Sequence, residues 1–348
     1  MISICIIVKN ESKNLSTCLE KLSRTGYEIV VVDTGSVDDS KDIAYKFTDK
    51  VYDFVWVNDF SAARNFAISK ATKEYIIMID SDEFLTEIDK VKLEELLKNN
   101  EKSVGRLHRN NVFTRDGVGF SGKELINRIF PKKYFNYSGK IHEQVIALDG
   151  KDYMTYVAPV YVDHIGYDGS IEDRKEKANR NIKMLLEVLE EDGDDPYILY
   201  QLGKGYYLDK EYEKATEYFR RALTFDLNIE LEYVIDMIEI YGYSLINSEQ
   251  FEEALLLENI YDEFSGSADF VFLMGLIYMQ NFLYEKAEKE FLKATSYPDS
   301  KVEGVNSYLA YYNAGVIVEC LEDKEKAILY FEKCGDYEPA LQGIIRCK

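Results

Sequence analysis

Residues 74–84 read EYIIMIDSDEF, an apolar run that ends in three acids, Asp80, Asp82 and Glu83. Carboxylates at the end of a core strand repel one another and lose hydration unless positive charge meets them there. An acid after a strand often caps the next helix, and Asp82 alone is placed to do that. Asp80 and Asp82 flank a single residue, however, so both side chains are expected to reach the mouth of one crevice. Their hard oxygens suit Mg²⁺ or Mn²⁺, which takes one or two carboxylates and completes its shell with substrate phosphates. A DxD pair by itself specifies little, so the elements that position it decide its meaning.

Those elements alternate. ISICIIV (2–8), EIVVVD (28–33), VYDFVWV (51–57) and YIIMI (75–79) read as strands. Between them SKNLSTCLEKL, DDSKDIAYKF and SAARNFAISKA carry helical spacing. Continuous Val/Ile strands separated by helices predict an α/β unit with a mostly parallel sheet covered on both faces. Such sheets bind ligands at the carboxyl ends of their strands. Those ends read Lys9-Asn10-Glu11, Asp33-Thr34-Gly35-Ser36 and Asp80-Ser81-Asp82, which should converge on one crevice. Residues 104–163 change character, and VGRLHRNNVF, LINRIF, HEQVIAL and YVAPVYV predict mixed or antiparallel strands beside the parallel ones.

The remainder is helical and repetitive. EDRKEKANRNIKMLLEVLEED reads as one long charged helix over 171–192, which joins a first domain, 1–170, to an all-α domain, 193–348. In the latter, Gly203, Ala215, Phe219 and Ala222 recur as Gly275, Ala287, Phe291 and Ala294, and again as Gly315, Ala327, Phe331 and Cys334. A weaker copy has Gly242 and Ala254 but Glu258 where Phe belongs. The pattern resembles the tetratricopeptide repeat, whose small residues let paired helices approach closely.

Composition narrows the classes. Of the net charge of −21, residues 1–170 hold 26 acids against 23 bases, and the rest 37 against 19. So acidic a chain is a poor nucleic-acid binder, because phosphate repulsion dominates. The acidic half is suited to solubility or to a basic partner. Five cysteines, odd in number and never spaced CxxC, argue against a disulfide framework or a zinc site and for a reducing cytoplasm. No apolar run approaches the roughly 20 residues of a membrane span, and MISICIIV lacks the basic start and cleavage site of a signal peptide.

CIIVKNE, VVVDTGSVDDS, DFSAARNFAI and MIDSDE, in that order and followed by YSGKIHEQV and VDHIGY, resemble the family 2 glycosyltransferases of the GT-A fold. With the repeats behind it, the arrangement is similar to a bacterial subgroup that includes peptide S-glycosyltransferases of the sublancin type and lipooligosaccharide glucosyltransferases. The resemblance implies a UDP-sugar donor and a divalent metal, Mn²⁺ or Mg²⁺, held by Asp82, with Asp80 beside it touching ribose or completing the metal shell. Asp33 matches the residue that accepts a hydrogen bond from the uracil imide, against the simpler role of capping the following helix. Glu11 matches a position near the ribose, and Arg64 one that contacts base or phosphate. His164 matches a histidine near metal and diphosphate, and neutral imidazole is a good Mn²⁺ ligand. His108 reads as structural.

Family 2 enzymes invert the anomeric centre in one displacement, which needs a base for the acceptor's proton. Glu143 is the candidate, with adjacent His142 as the alternative. In an extended stretch over 141–146 only one of them would face the crevice. Pairing of Glu143 with Lys140 or Arg128 is the structural alternative. The acceptor expected is a peptide or protein side chain lying on the repeats, with a cell-envelope saccharide nearly as well supported. The repeats could instead pair subunits in a homodimer, and a non-catalytic scaffold with a degenerate transferase domain is the remote alternative.

Overall fold

Alternation along the strands sorts their side chains into two cores. The first four strands are β1 (Ile2–Val8), β2 (Glu28–Asp33), β3 (Val51–Asp53) and β4 (Tyr75–Met78). Ile2, Ile4 and Ile6, with Ile29, Val31, Tyr75 and Ile77, enter one core; Cys5, Val30, Val32, Ile76 and Met78 enter the other. Helices α1 (Leu15–Ser23), α2 (Ser40–Tyr45), α3 (Phe60–Lys70) and α4 (Lys90–Asn99) complete this region. Leu15, Leu19, Leu22, Leu93 and Leu97 close the first face, while Ala67 and Ile68 of α3 close the second.

The computed structural model describes residues 1–115, 118–165 and 171–348. The chain divides into two units, Met1–Met184 and Leu185–Lys348, and helix α5 (Ile171–Asp192) runs through the division. The expected boundary at residue 170 and the last two residues of VDHIGY, Gly166 and Tyr167, lie outside the described residues.

Six further strands follow β4: β5 (Glu83–Ile88), β6 (Ser103–Arg115), β7 (Val118–Pro131), β8 (Phe135–Ser138), β9 (Gln144–Ala147) and β10 (Met154–His164). The main sheet has the order β3-β2-β1-β4-β7-β6-β10-β5, and β8 pairs with β9 separately. Strands β3, β2, β1 and β4 are mutually parallel, as expected. Strand β7 is antiparallel to both β4 and β6, and β10 is parallel to β6. Two reversals restore direction, so β6 and β10 end on the same sheet edge as β1, β2 and β4. Antiparallel β5 begins at that edge.

Three local expectations are corrected. The strand expected over 51–57 stops at Asp53, where its pairing with β2 ends at the sheet edge; Val55 and Val57 beyond it are exposed. Asp82 caps no helix, because a strand follows it, and Asp89 caps α4 by accepting from Lys92 N at 3.0 Å. The stretch 141–146 is not extended throughout: His142 has φ 50°, and β9 starts only at Gln144.

The second unit consists of α6 (Pro196–Leu208), α7 (Tyr212–Ala222), α8 (Glu232–Asn247), α9 (Phe251–Ala254), α10 (Tyr261–Phe264), α11 (Ala268–Gln280), α12 (Tyr284–Ala294), α13 (Tyr308–Cys320), α14 (Lys324–Glu332) and α15 (Glu338–Cys347). The repeat offsets are packing contacts. A Cβ on Gly203, Gly275 or Gly315 would lie 2.5, 2.7 and 2.5 Å from the rings of Phe219, Phe291 and Phe331. Gly242 meets Leu273 and Leu257 instead, since residues 255–260 tighten into a 3₁₀ helix that brings Leu257 inward and leaves Glu258 outside the core. Lys210, Glu249, Phe282 and Glu322, each seven residues after its glycine, all take positive φ at the turn that follows. The weak copy therefore shares the turn geometry of the others while its second helix is interrupted by the 3₁₀ segment.

Gly275→Ala should lower the urea midpoint of the helical unit by the equivalent of about 1–3 kcal/mol, the usual cost of overpacking. Gly266→Ala, where nothing lies within 4 Å, should leave it nearly unchanged. Circular dichroism of the two variants checks the contrast.

Candidate active site

At the shared sheet edge the loops after β1 and β2 are laced together. Asn10 N donates to Ser36 Oγ at 2.9 Å, Val37 N to Asn10 Oδ1 at 2.8 Å, and Glu11 N to Ser40 Oγ at 2.8 Å. Asp33 caps this loop and no helix: its Oδ1 accepts from the backbone N–H of Gly35 and Ser36, both at 3.0 Å. Asp38 binds Ser12 N, Ser40 N and the Ser40 hydroxyl. Asp33 is 4% exposed, and its Oδ2 has no hydrogen-bond partner among the described residues. A fixed carboxylate with one oxygen committed and the other unmet is suited to receive an N–H from a ligand. Glu11 stands beside this loop, with Oε2 accepting from Asn14 Nδ2 at 3.2 Å.

The positive charge that Asp80 needs is supplied by the chain. Asp80 Oδ1 accepts from Arg64 Nη2 at 2.8 Å and Oδ2 from Arg128 Nη2 at 2.7 Å. Burial would raise the Asp80 carboxyl, but Arg128 and Arg64 outweigh it and hold it well below the usual range. Arg64 is 5% exposed, contrary to the usual solvated arginine of a surface helix. Its Nε donates to Glu143 Oε1, its guanidinium lies 5.4 Å from the Tyr137 ring centroid, and its buried Nη1 meets no partner among the described residues. Glu143 is thus paired with Arg64, and its charge also acts on Arg128, one of the partners anticipated for it. Glu83, fully buried, accepts from Asp80 N at 2.9 Å and from Arg109 Nη1 at 3.3 Å. Burial and the Asp80 charge push its carboxyl up, against Arg128 and Arg109.

Asp82 turns the other way. Its Oδ2 lies 3.5 Å from Nε2 of His164, the last residue of β10. His164 Nδ1 is 2.8 Å from Asn111 Oδ1, which leaves Nε2 directed at Asp82. Two such groups aimed at one point suit a divalent cation that completes its shell with ligand oxygens. No cluster of three or more His, Cys, Asp or Glu ligands occurs among the described residues. Asp80 and Asp82, separated by Ser81, therefore face different partners. His142 and Glu143 are adjacent in a tight loop, and the His108 ring stacks on Tyr161 at 4.3 Å.

Residues 3–146 match the family model described as "Glycosyl transferase family 2". Tetratricopeptide-repeat models match 196–228, 268–299 and 308–340. The chain carries a family 2 glycosyltransferase domain followed by tetratricopeptide repeats. SunS, a prophage-derived glycosyltransferase of Bacillus subtilis (strain 168), is 31% identical over 221 residues, 63% of this chain and 52% of SunS. A poly(ribitol-phosphate) beta-glucosyltransferase of Bacillus spizizenii is 36% identical over 95 residues, 24% of this chain and 15% of that protein. The solved structure of TarS from S. aureus aligns with 73% of this chain and 53% of its own at 15% identity and a TM-score of 0.37. The chain spans about half the length of SunS. Among the described residues, no helix is long and apolar enough to cross a membrane.

Sequence reasoning missed Arg109, Asn111 and Glu124 and named Arg128 only as a possible partner of Glu143; all four lie on the β6–β7 hairpin of this glycosyltransferase domain. The available signal was an arginine inside the apolar run LINRIF, a charge that a core strand tolerates only when it is paired. Arg128→Leu should destabilise the fold by about 3–5 kcal/mol at neutral pH, because it strips one partner from a largely buried pair. Since Asp80 titrates lower folded than unfolded, the stability from this pair is present above the unfolded value and lost as pH falls through the folded one. The variant's penalty should therefore shrink below about pH 4. Urea unfolding across a pH series checks it.

Proposed function

We propose that this chain is an inverting glycosyltransferase that moves a hexose from a UDP-sugar to a peptide or protein side chain, with Mn²⁺ or Mg²⁺ as cofactor. The observation that carries this reading is the approach of Asp82 Oδ2 and His164 Nε2 at the sheet edge that also holds Asp33. Asp33 Oδ2 would accept the imide N–H of uracil, and Glu11 would stand near the ribose. Arg64 Nη1 would donate to the diphosphate. A cation held by Asp82 and His164 would stabilise, as a Lewis acid, the charge that develops on the leaving diphosphate. Asp80, engaged by two arginines, would fix Arg64 and Arg128 beneath the phosphates.

Glu143 would take the proton from the acceptor, with Arg64 holding its carboxylate in place. His142 stays the alternative base. A cysteine acceptor would rely on that base less, because its thiolate is already nucleophilic. The likeness to a poly(ribitol-phosphate) glucosyltransferase favours a second reading, in which the same donor chemistry serves a cell-envelope saccharide or polymer.

Intact mass spectrometry of candidate peptides and saccharides, incubated with a panel of UDP-hexoses and Mn²⁺, separates the acceptors. UDP with Mn²⁺ should raise the melting temperature. Asp82→Asn should abolish that metal-dependent shift and turnover while keeping the fold; an unchanged shift removes Asp82 from the cation site. Glu143→Gln should preserve donor binding and slow transfer by about 10²–10⁴-fold. A loss below tenfold moves the base assignment to His142.

A further inference from the structure

We propose that Asn111 and Glu124 are positioning residues that lock the His164 imidazole in its Nδ1–H form, so that the Nε2 lone pair is presented beside Asp82. The proposal rests on the reading of Asp82 and His164 as a cation site, and it concerns how this chain prepares that site.

Strand register builds the relay. Antiparallel β6 and β7 set Arg109 opposite Glu124, and parallel β6 and β10 set Asn111 beside His164. Arg109 and Asn111 lie two residues apart on β6, so they share a face. Arg109 Nε donates to Glu124 Oε1 at 2.8 Å, and Asn111 Nδ2 donates to the same oxygen. Burial alone would raise the Glu124 carboxyl; Arg109 and Asn111 outweigh it and hold it below its ordinary value. An ionised carboxylate only accepts, so the amide nitrogen of Asn111 must face Glu124. Its carbonyl oxygen then faces His164 Nδ1 at 2.8 Å, and Nδ1 must carry the proton.

The competing arrangement explains why such a relay is useful. With the proton on Nε2, the imidazole would donate directly to Asp82 Oδ2 and close the pair to a cation. Among the described residues, Glu124 is the carboxylate that sets the direction of the Asn111 amide. A flipped amide would donate to Nδ1 and drive the proton to Nε2. The relay thus excludes the form that would satisfy Asp82 without a metal.

The test uses the full chain labelled with ¹⁵N-histidine. Only three histidines occur, so His164→Gln assigns the signal. Long-range ¹H–¹⁵N spectra are recorded about two units above the ordinary imidazole pKa, where the neutral form dominates. Wild type should show His164 as Nδ1–H, and Asn111→Leu and Glu124→Leu should each shift it toward Nε2–H. Exchanging the two ends of the relay, Asn111→Asp with Glu124→Gln, should restore Nδ1–H. Manganese affinity in the presence of UDP, read by electron paramagnetic resonance, should fall about 10–100-fold in Asn111→Leu. An unchanged tautomer in both single variants overturns the proposal, as does an Nε2–H signal in wild type. A changed tautomer with unchanged manganese affinity supports the relay and removes His164 from the metal site.

Discussion

The guanidinium of Arg64 ties three parts of the first unit together. It comes from α3, reaches Asp80 at the end of β4, and holds Glu143 in the loop before β9. A cation so deeply buried is tolerable only where carboxylates meet it, and here two do. Asp80 in turn is shared with Arg128, so the crowding of acids after β4 is relieved from within the protein. The consequence is a division of labour. With Asp80 drawn to the α3 side, Asp82 is the acid of that turn set beside β10 and His164.

The sheet topology makes this division possible. Four parallel strands bring Asp33 and Asp80 to one edge, and the reversal through β7 returns β6 and β10 to it. That edge consequently carries two groups of elements. One is made of βα loops with backbone N–H groups and Asp33; the other is made of strand ends whose side chains form a charged network. Glu83 joins them, since it accepts from the Asp80 backbone and from Arg109 of the hairpin. Its full burial is affordable only because donors meet both carboxylate oxygens.

The fold was legible where a physical period governs it. Continuous Val/Ile runs between helices marked the parallel strands, and fixed offsets between glycine and phenylalanine marked the repeats because they are the contacts that close each helix pair. Glu258 departs from the pattern in the weak copy because a 3₁₀ segment changes which residue reaches the core. In the site, the residues at strand ends could be named, but not their partners. Arg128, Arg109, Asn111 and Glu124 reach the site through hairpin register, and a shift in pairing between Gly105 and Arg106 changes which side chains oppose one another. Nothing in the local sequence announces that shift. His142 likewise turned on one backbone angle that an apparently extended HEQV does not reveal.

Two buried polar atoms bear on whether this is a working site or a scaffold. Asp33 Oδ2 and Arg64 Nη1 meet no partner among the described residues. Leaving such groups unmet costs about 1–3 kcal/mol each, and more where charge is involved. Neither atom is needed for the bonds these side chains make within the protein: Asp33 Oδ1 alone meets Gly35 and Ser36, and Arg64 Nε and Nη2 meet Glu143 and Asp80. The two atoms have opposite character, an acceptor in the β2 loop and a donor beside Asp80, as a ligand with an N–H at one end and an anion at the other requires. A nucleoside diphosphate has that polarity. Under the proposed function, its binding would satisfy both atoms at once.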